Sequence, residues 1–308
     1  MPDKRLFARW LSPVWLLLAA LSTGASPASA GAAPPAKKPV VVAQMYVWVQ
    51  ENQSHQQRLE DHLDEAFAAT ERAGYGAIQG WLSWFATPEL ASTATASLKA
   101  HHLVMLAGYT DGPMHDERGA ATIERIAGWA ARAREHGVET VIMNPDVKRD
   151  RVEKTDEELA LQAANLDRLG ARLRGLGLAL AIHAHDPEMR SGAREWYSNL
   201  RRTDPANVGI CLDVDWVYRG GRDPLALIEA AGARVRDVHL RTSRQRVWLE
   251  ELGPGDVDYA AVAKALAAIP FTGTYTVELA YEKGTTRTRT VEEDLRRSRA
   301  FVRRTFGL

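Results

Sequence analysis

Four residues of metal-ligand type stand at the ends of four successive apolar runs in the second half of the chain. His183 closes the run Leu178 to His183, Asp213 closes Val208 to Asp213, His239 lies near the end of Val235 to Leu240, and Glu278 near the end of Tyr275 to Leu279. They are 30, 26 and 39 residues apart, about one strand-plus-helix unit each. A single His or Asp in such a place is ordinarily structural, hydrogen-bonded or capping the next helix. Four at matching positions carry more weight. Two imidazoles and two carboxylates brought together away from water are costly unless a cation neutralises them. This donor set suits Mn²⁺, Zn²⁺ or Co²⁺, with Fe²⁺ and Mg²⁺ also compatible.

The chemistry of such a site follows from its ligands. A divalent metal bound to a carbonyl and its neighbouring hydroxyl acidifies the C–H between them and stabilises the enediolate left by deprotonation. Glu278 is the best-placed base. A second acid or base has to return the proton or expel a leaving group, and His185, Glu188 and Asp215 are the candidates in that order, each equally able to serve by orienting a ligand. Aromatic residues end the other apolar runs: Tyr46 and Trp48, Trp81 and Trp84, Tyr109, and then Trp216. Their rings suit the C–H faces of a sugar, although half of them could equally be core. Asn144 and Asp146 are placed to meet hydroxyls, and Arg241 and Arg244 to meet an anionic or hydroxyl-rich substrate. Gly253-Pro254-Gly255 reads either as a lid over the metal or as a plain turn.

Eight apolar runs have to position these groups. Besides the four above they are Val40 to Val49, Gly76 to Trp81, Leu103 to Tyr109 and Thr140 to Asn144. Helical patterns with recognisable starts lie between them. Ser54 with Gln57 reads as a capping box, Gly74 as a stop, Thr87-Pro88 as a cap and first-turn proline, and Thr155 with Glu158 as a second capping box. Asp223, Asp258 and Thr290 open further helices. Eight βα units in residues 39–308, with apolar rather than alternating strands, predict a single-domain (β/α)₈ TIM barrel. A doubly wound open sheet is the alternative, weakened because no G-x-G-x-x-G follows the first strand and no Walker motif is present.

The N-terminus reads as a targeting segment. Lys4, Arg5 and Arg9 precede an apolar run from Trp10 to Leu21 and then Ala28-Ser29-Ala30, which predicts a signal peptide over 1–30, cut before Gly31, and a Pro-containing tether over 31–38. The expected product is exported, periplasmic or secreted, with no stable membrane insertion, since no later stretch is long and apolar enough to span a bilayer. With 39 Lys and Arg against 39 Asp and Glu the chain has no basic excess, which argues against nucleic acid as a partner. A lone Cys211 leaves no intramolecular disulfide.

The segments His183-Ala-His185-Asp-Pro-Glu188, Asp213-Val-Asp215-Trp216, His239-Leu-Arg241, Glu251-Leu-Gly253-Pro-Gly255-Asp-Val-Asp258-Tyr259 and Val277-Glu278 resemble, in this order, the sugar phosphate isomerase/epimerase group of xylose isomerase-like TIM barrels. The resemblance implies one divalent metal held by residues on strands five to eight, and a small sugar or sugar derivative chelating it through two oxygens. Many members place at the end of strand five a Glu that is both ligand and acid/base group. His183 stands there in this chain, which departs from two-carboxylate epimerisation. The expectation is therefore an exported metal-dependent sugar isomerase or epimerase acting by proton abstraction beside a carbonyl. A lyase or dehydratase, including β-elimination from a keto-sugar or keto-glycoside, is the alternative, and a noncatalytic carbohydrate-binding barrel is a third. A related endonuclease class with a trinuclear zinc cluster is excluded, because Trp216 stands where its second ligand after strand six belongs.

Overall fold

The computed structural model describes residues 39–308; the expected signal peptide and tether lie outside the described residues. Eight parallel strands close into a barrel: β1 Val40–Gln44, β2 Ala77–Trp81, β3 Val104–Gly112, β4 Thr140–Pro145, β5 Ala179–Ile182, β6 Val208–Asp213, β7 Val235–Leu240 and, after a two-stranded hairpin of β8 Ser243–Arg244 and β9 Val247–Trp248, β10 Thr274–Val277. The ring closes by pairing of β1 with both β2 and β10. An open doubly wound sheet is thereby ruled out.

The helices are α1 Tyr46–Ser54, α2 Leu63–Arg72, α3 Pro88–Ala100, α4 Gly119–Glu135, α5 Asp156–Gly175, α6 Arg190–Arg202, α7 Val214–Arg219, α8 Pro224–Ala231, α9 Tyr259–Ala267 and α10 Val291–Phe306. Most start where their capping chemistry says. Thr155 and Glu158 form a reciprocal capping box, Thr87 accepts from the Leu90 amide with Pro88 in the first turn, and Asp223, Asp258 and Thr290 each accept a backbone N–H. Gly74, at φ +92°, ends α2 in a conformation that a side chain would resist.

Two early expectations fail. The first strand stops at Gln44, and Tyr46, Trp48 and Val49 belong to α1. Gln44 is the cause: its side-chain oxygen accepts the Tyr46 amide and turns the chain into a helix one residue past the barrel. Ser54 is the last residue of that helix, its hydroxyl bonded back to the Glu51 carbonyl, so it caps nothing downstream. Helix α2 begins at Leu63 with no side-chain cap.

The barrel interior is layered, as the alternation of strand side chains requires. On one side Ala107, Ile142, Ala181 and Cys211 form a small apolar plug. On the other, Asp237 accepts hydrogen bonds from Gln79, Thr274 and Thr276, tying β2, β7 and β10 together through one buried carboxylate. Both sets form the floor beneath the mouth.

Candidate active site

Strand register brings the four ligand-type residues together. Asp213 on β6 lies directly opposite His239 on β7. His183 and Glu278 each sit one residue past a strand yet extend its ladder, the His183 amide to the Met143 carbonyl and the Glu278 amide to the Leu240 carbonyl. One ligand atom from each of the four falls within 4.8 Å of those of the others, and all four residues are buried.

The hydrogen bonding around them has gaps of the kind a divalent cation would fill. His183 Nδ1 faces Tyr109 Oη at 3.4 Å and Asn144 Oδ1 at 3.5 Å, while its Nε2 points between Asp213 Oδ2 at 3.6 Å and Glu278 Oε2 at 4.0 Å with no hydrogen-bond partner. A buried nitrogen without a partner is uncommon in folded proteins. His239 Nδ1 meets Glu278 Oε2 at 2.6 Å, and its Nε2 lies 3.3 Å from Asp237 Oδ2, off the direction of a good hydrogen bond. Two imidazoles, two carboxylates and an orphaned nitrogen aimed between the carboxylates fit a divalent metal. With a metal bound, Asp237 in mid-strand would play the part carboxylates commonly play behind metal-binding histidines, favouring a proton on Nε2 and leaving Nδ1 for the metal. Nothing in the residue pattern singled Asp237 out.

Arg241 shares the cage. Its Nη2 reaches Asp213 Oδ2 at 2.8 Å and Glu278 Oε2 at 2.5 Å, and its guanidinium lies 4.7 Å from the centre of the Trp248 ring. Burial alone would raise the Asp213 and Glu278 carboxyls, but Arg241 and the histidines outweigh it and hold Asp213 below, and Glu278 far below, the ordinary range. Burial would lower His239, yet Cys211, Glu278 and Asp237 together raise it well above the usual value. In the described structure the cage therefore holds two anions compensated by protein cations.

A cavity of about 690 Å³ opens on the cage. Of the residues expected to touch substrate, Tyr46, Trp81, Tyr109, Asn144, Trp216 and Arg241 line it, together with Glu278 and His185. Two others do not. Trp48 rides on α1 and donates to Thr70 Oγ1 at 3.0 Å, packed against the core, because its strand ended four residues earlier. Arg244 is exposed on the hairpin and donates to the Pro254 carbonyl. Gly253 exchanges hydrogen bonds with Thr242 Oγ1, and the Asp256 amide just beyond the segment donates to the Ser243 carbonyl, so Gly253-Pro254-Gly255 braces that hairpin as a turn.

The candidate second acid/base groups also separate. His185 lines the cavity, edge-on to His183 and Trp216, and burial followed by the charge of His183 pushes its pKa down to about 3, so it is neutral at pH 7. Glu188 lies outside the cavity lining and accepts the His185 amide at 2.8 Å; burial and nearby Glu195 raise it to about 7. It holds the His185 turn. Asp215 is buried and accepts from Ser243 Oγ at 2.7 Å and Trp248 Nε1 at 2.8 Å, which anchors Trp248 in the cavity wall. Trp248 closes only the two-residue strand β9 and follows none of the apolar runs, so its one signal in the sequence is a tryptophan in a short polar loop. Tyr109, also lining the cavity, is kept protonated by burial and the neighbouring Glu278 charge.

A family model described as "Xylose isomerase-like TIM barrel" matches residues 67–304. An inosose dehydratase of Lacticaseibacillus casei is 28% identical over 110 residues, covering 36% of this chain and 37% of that protein, so the match spans little more than a third of the relative. Among solved structures, a sugar phosphate isomerase/epimerase from Parabacteroides distasonis superposes with a TM-score of 0.68 at 18% identity, covering 88% of this chain and 95% of that one. A D-allulose 3-epimerase from Methylomonas sp., in complex with D-allulose, gives 0.69 at 16% identity over 87% and 98%. At these identities the structures speak for the fold.

Proposed function

The chain belongs to the xylose isomerase-like TIM barrel family, and from that premise we propose that it is a divalent-metal-dependent enzyme that removes a proton from the carbon beside a carbonyl of a keto-sugar. The observation that carries this reading is the convergence of His183, Asp213, His239 and Glu278 beneath a cavity that Glu278 and Arg241 line together with the aromatic side chains of Tyr46, Trp81, Tyr109, Trp216 and Trp248.

A metal held by those four residues supplies Lewis-acid polarisation of the carbonyl. The chain's own groups do the rest. Glu278 is anionic at neutral pH because Arg241 and His239 hold it so, which makes it available as a base although weakly basic, a match for a C–H already acidified by polarisation. Arg241, with its Nε unsatisfied and its guanidinium lining the cavity, faces the oxygens where negative charge develops. Tyr109 and His185 are neutral hydrogen-bond donors on the same cavity. Trp81, Trp216 and Trp248 pack against the sugar ring and exclude water.

Isomerisation or epimerisation, with the proton returned to carbon, is the first outcome and agrees with the names of the structural neighbours. A specific observation favours β-elimination as a second reading: the cage offers one cavity-lining carboxylate, Glu278, since the strand-five position is His183, Asp213 accepts from the Trp216 amide and Arg241, and Glu188 is turned onto the His185 backbone. We also propose that residues 1–30 direct export, which makes an unphosphorylated substrate the natural one; among the described residues no helix is long and apolar enough to cross a membrane.

The test is hydrogen exchange in D₂O, followed by NMR, over a panel of ketoses and oxidised glycosides. The metal-loaded wild type should exchange the C–H beside the carbonyl, and Glu278→Gln, checked for metal content, should lose that exchange by roughly 10²-fold or more. A deuterated sugar mixture identifies an isomerase or epimerase; an unsaturated product with a released hydroxyl or alcohol identifies a lyase. Undiminished exchange in the variant removes Glu278 from the mechanism, and tight binding without exchange across the panel identifies a binding barrel.

A further inference from the structure

Resting on that reading, we propose that the substrate is a glycoside of at least two rings, whose keto ring sits against Glu278 and whose second, uncharged ring fills an outer cleft between the loops that follow β4 and β5.

The first observation is size. A hexose packed at protein-interior density occupies on the order of 200 Å³. The cavity of about 690 Å³ is several times larger and does not end at the aromatic residues. It runs outward between the β4–α5 loop, carrying Asp146 and Arg151, and the β5–α6 segment, carrying Asp186 and Arg190. One ring at the cage leaves this outer half empty.

The second observation is charge. The whole lining carries six Lys or Arg and six Asp or Glu. Three of its outer cations are neutralised, Lys148 by Glu158, Lys154 by Glu195 and Arg194 by Asp156. Asp146, Asp186, Arg151 and Arg190 form no ion pair among the described residues. Asp111 and Glu153 in the lining likewise form no ion pair among the described residues, so the unpaired groups are four carboxylates and two guanidiniums, a mixture of acceptors and donors matched to vicinal hydroxyls, each of which donates once and accepts twice. A phosphate or carboxylate there would meet more repulsion than attraction. Val147 and Val152, exposed at 41% and 60%, face the same cavity and offer apolar surface to the C–H side of a ring.

The third observation is that the cleft walls are built. Ser191 Oγ donates to Glu153 at 2.7 Å and Arg194 Nη1 to the Lys154 carbonyl at 2.6 Å, clamping one loop to the other. Arg151, Ser191 and Ala193 are held at φ of 58°, 47° and 61°, a left-handed backbone that non-glycine residues adopt at a cost and that concentrates at functional sites. In this arrangement Arg151 and Arg190 stand side by side, Arg190 Nη1 lying 3.4 Å from the Arg151 carbonyl.

The experiment compares a keto-disaccharide with the matching keto-monosaccharide on the metal-loaded wild type, by exchange kinetics and by calorimetric affinity. The disaccharide should be favoured in kcat/KM and Kd by about tenfold or more, the scale of one net hydrogen bond to a charged group. Asp186→Asn and Arg190→Ala should each erode that preference, lowering kcat/KM for the disaccharide several times more than for the monosaccharide. Equal use of the two sugars by the wild type, or equal losses on both in the variants, overturns the cleft. So does tighter binding of a disaccharide whose second ring carries a carboxylate. If neither sugar exchanges but the disaccharide still binds more tightly, proton abstraction fails while the two-ring cleft stands.

Discussion

The two halves of the barrel mouth are built on opposite principles. The half formed by β5, β6, β7 and β10 is charged and dry: His183, Asp213, His239, Arg241 and Glu278 are nearly inaccessible and compensate one another. The half formed by β1 to β4 is mostly neutral at its strand ends, offering Gln44, Tyr46, Trp81, Tyr109 and Asn144 to the cavity, with Asp111 as the one charged side chain its strands contribute. The difference teaches a division of labour. Buried charges are costly unless they hold a cation or change protonation state, so the proposed function puts bond breaking in the charged half, while aromatic faces and amides can hold a sugar in many orientations. Substitutions in the first half should therefore act on turnover and metal, and in the second on affinity.

The largest effect belongs to Glu278→Gln, which should abolish C–H exchange by about 10²-fold or more while the protein still folds. A loss that appears in KM alone would collapse the distinction between the halves. Next comes the pH dependence of stability set by Glu188. Its folded value of about 7 lies above the ordinary 4.5, so its contribution is complete below pH 4.5 and disappears as pH rises through 7. Thermal or urea unfolding should show wild type losing about 2 to 3 kcal/mol across that window relative to Glu188→Gln, in which a neutral amide can still accept the His185 amide. A parallel pair of pH profiles would place Glu188 in contact with solvent. Asp237→Asn should weaken metal binding by about 10- to 100-fold, as expected for a carboxylate behind a metal-binding histidine, and calorimetry reads it directly. The smallest effect is expected on the neutral side, where Trp81→Ala should raise the sugar Kd by a few-fold, with kcat nearly unchanged, for the loss of one stacking face worth about 1 kcal/mol.

Much of the charged half can be read from the sequence because its information is local. A ligand-type residue closing an apolar run declares both a strand end and a barrel mouth, and caps such as Thr155 with Glu158 declare where the next helix begins. Asp237 was hidden for the opposite reason: it lies inside a strand, and only closure of the barrel gives it Gln79, Thr274 and Thr276 as partners. Trp48 misled because Val47, Trp48 and Val49 have the composition of a strand, while the turn that ends β1 is made by the Gln44 side chain. Trp248 depends on Asp215, reached across 33 residues of chain, a contact that no periodicity encodes.

The account stands or falls on the cage. Metal-stripped wild type titrated with Mn²⁺ or Zn²⁺ in a calorimeter should take up about one ion per chain, with a rise in melting temperature that follows mass action, and Asp213→Ala should lose both responses while remaining folded. A wild type that takes up no ion and gains no thermal stability would contradict it, leaving Arg241 and His239 to compensate those carboxylates.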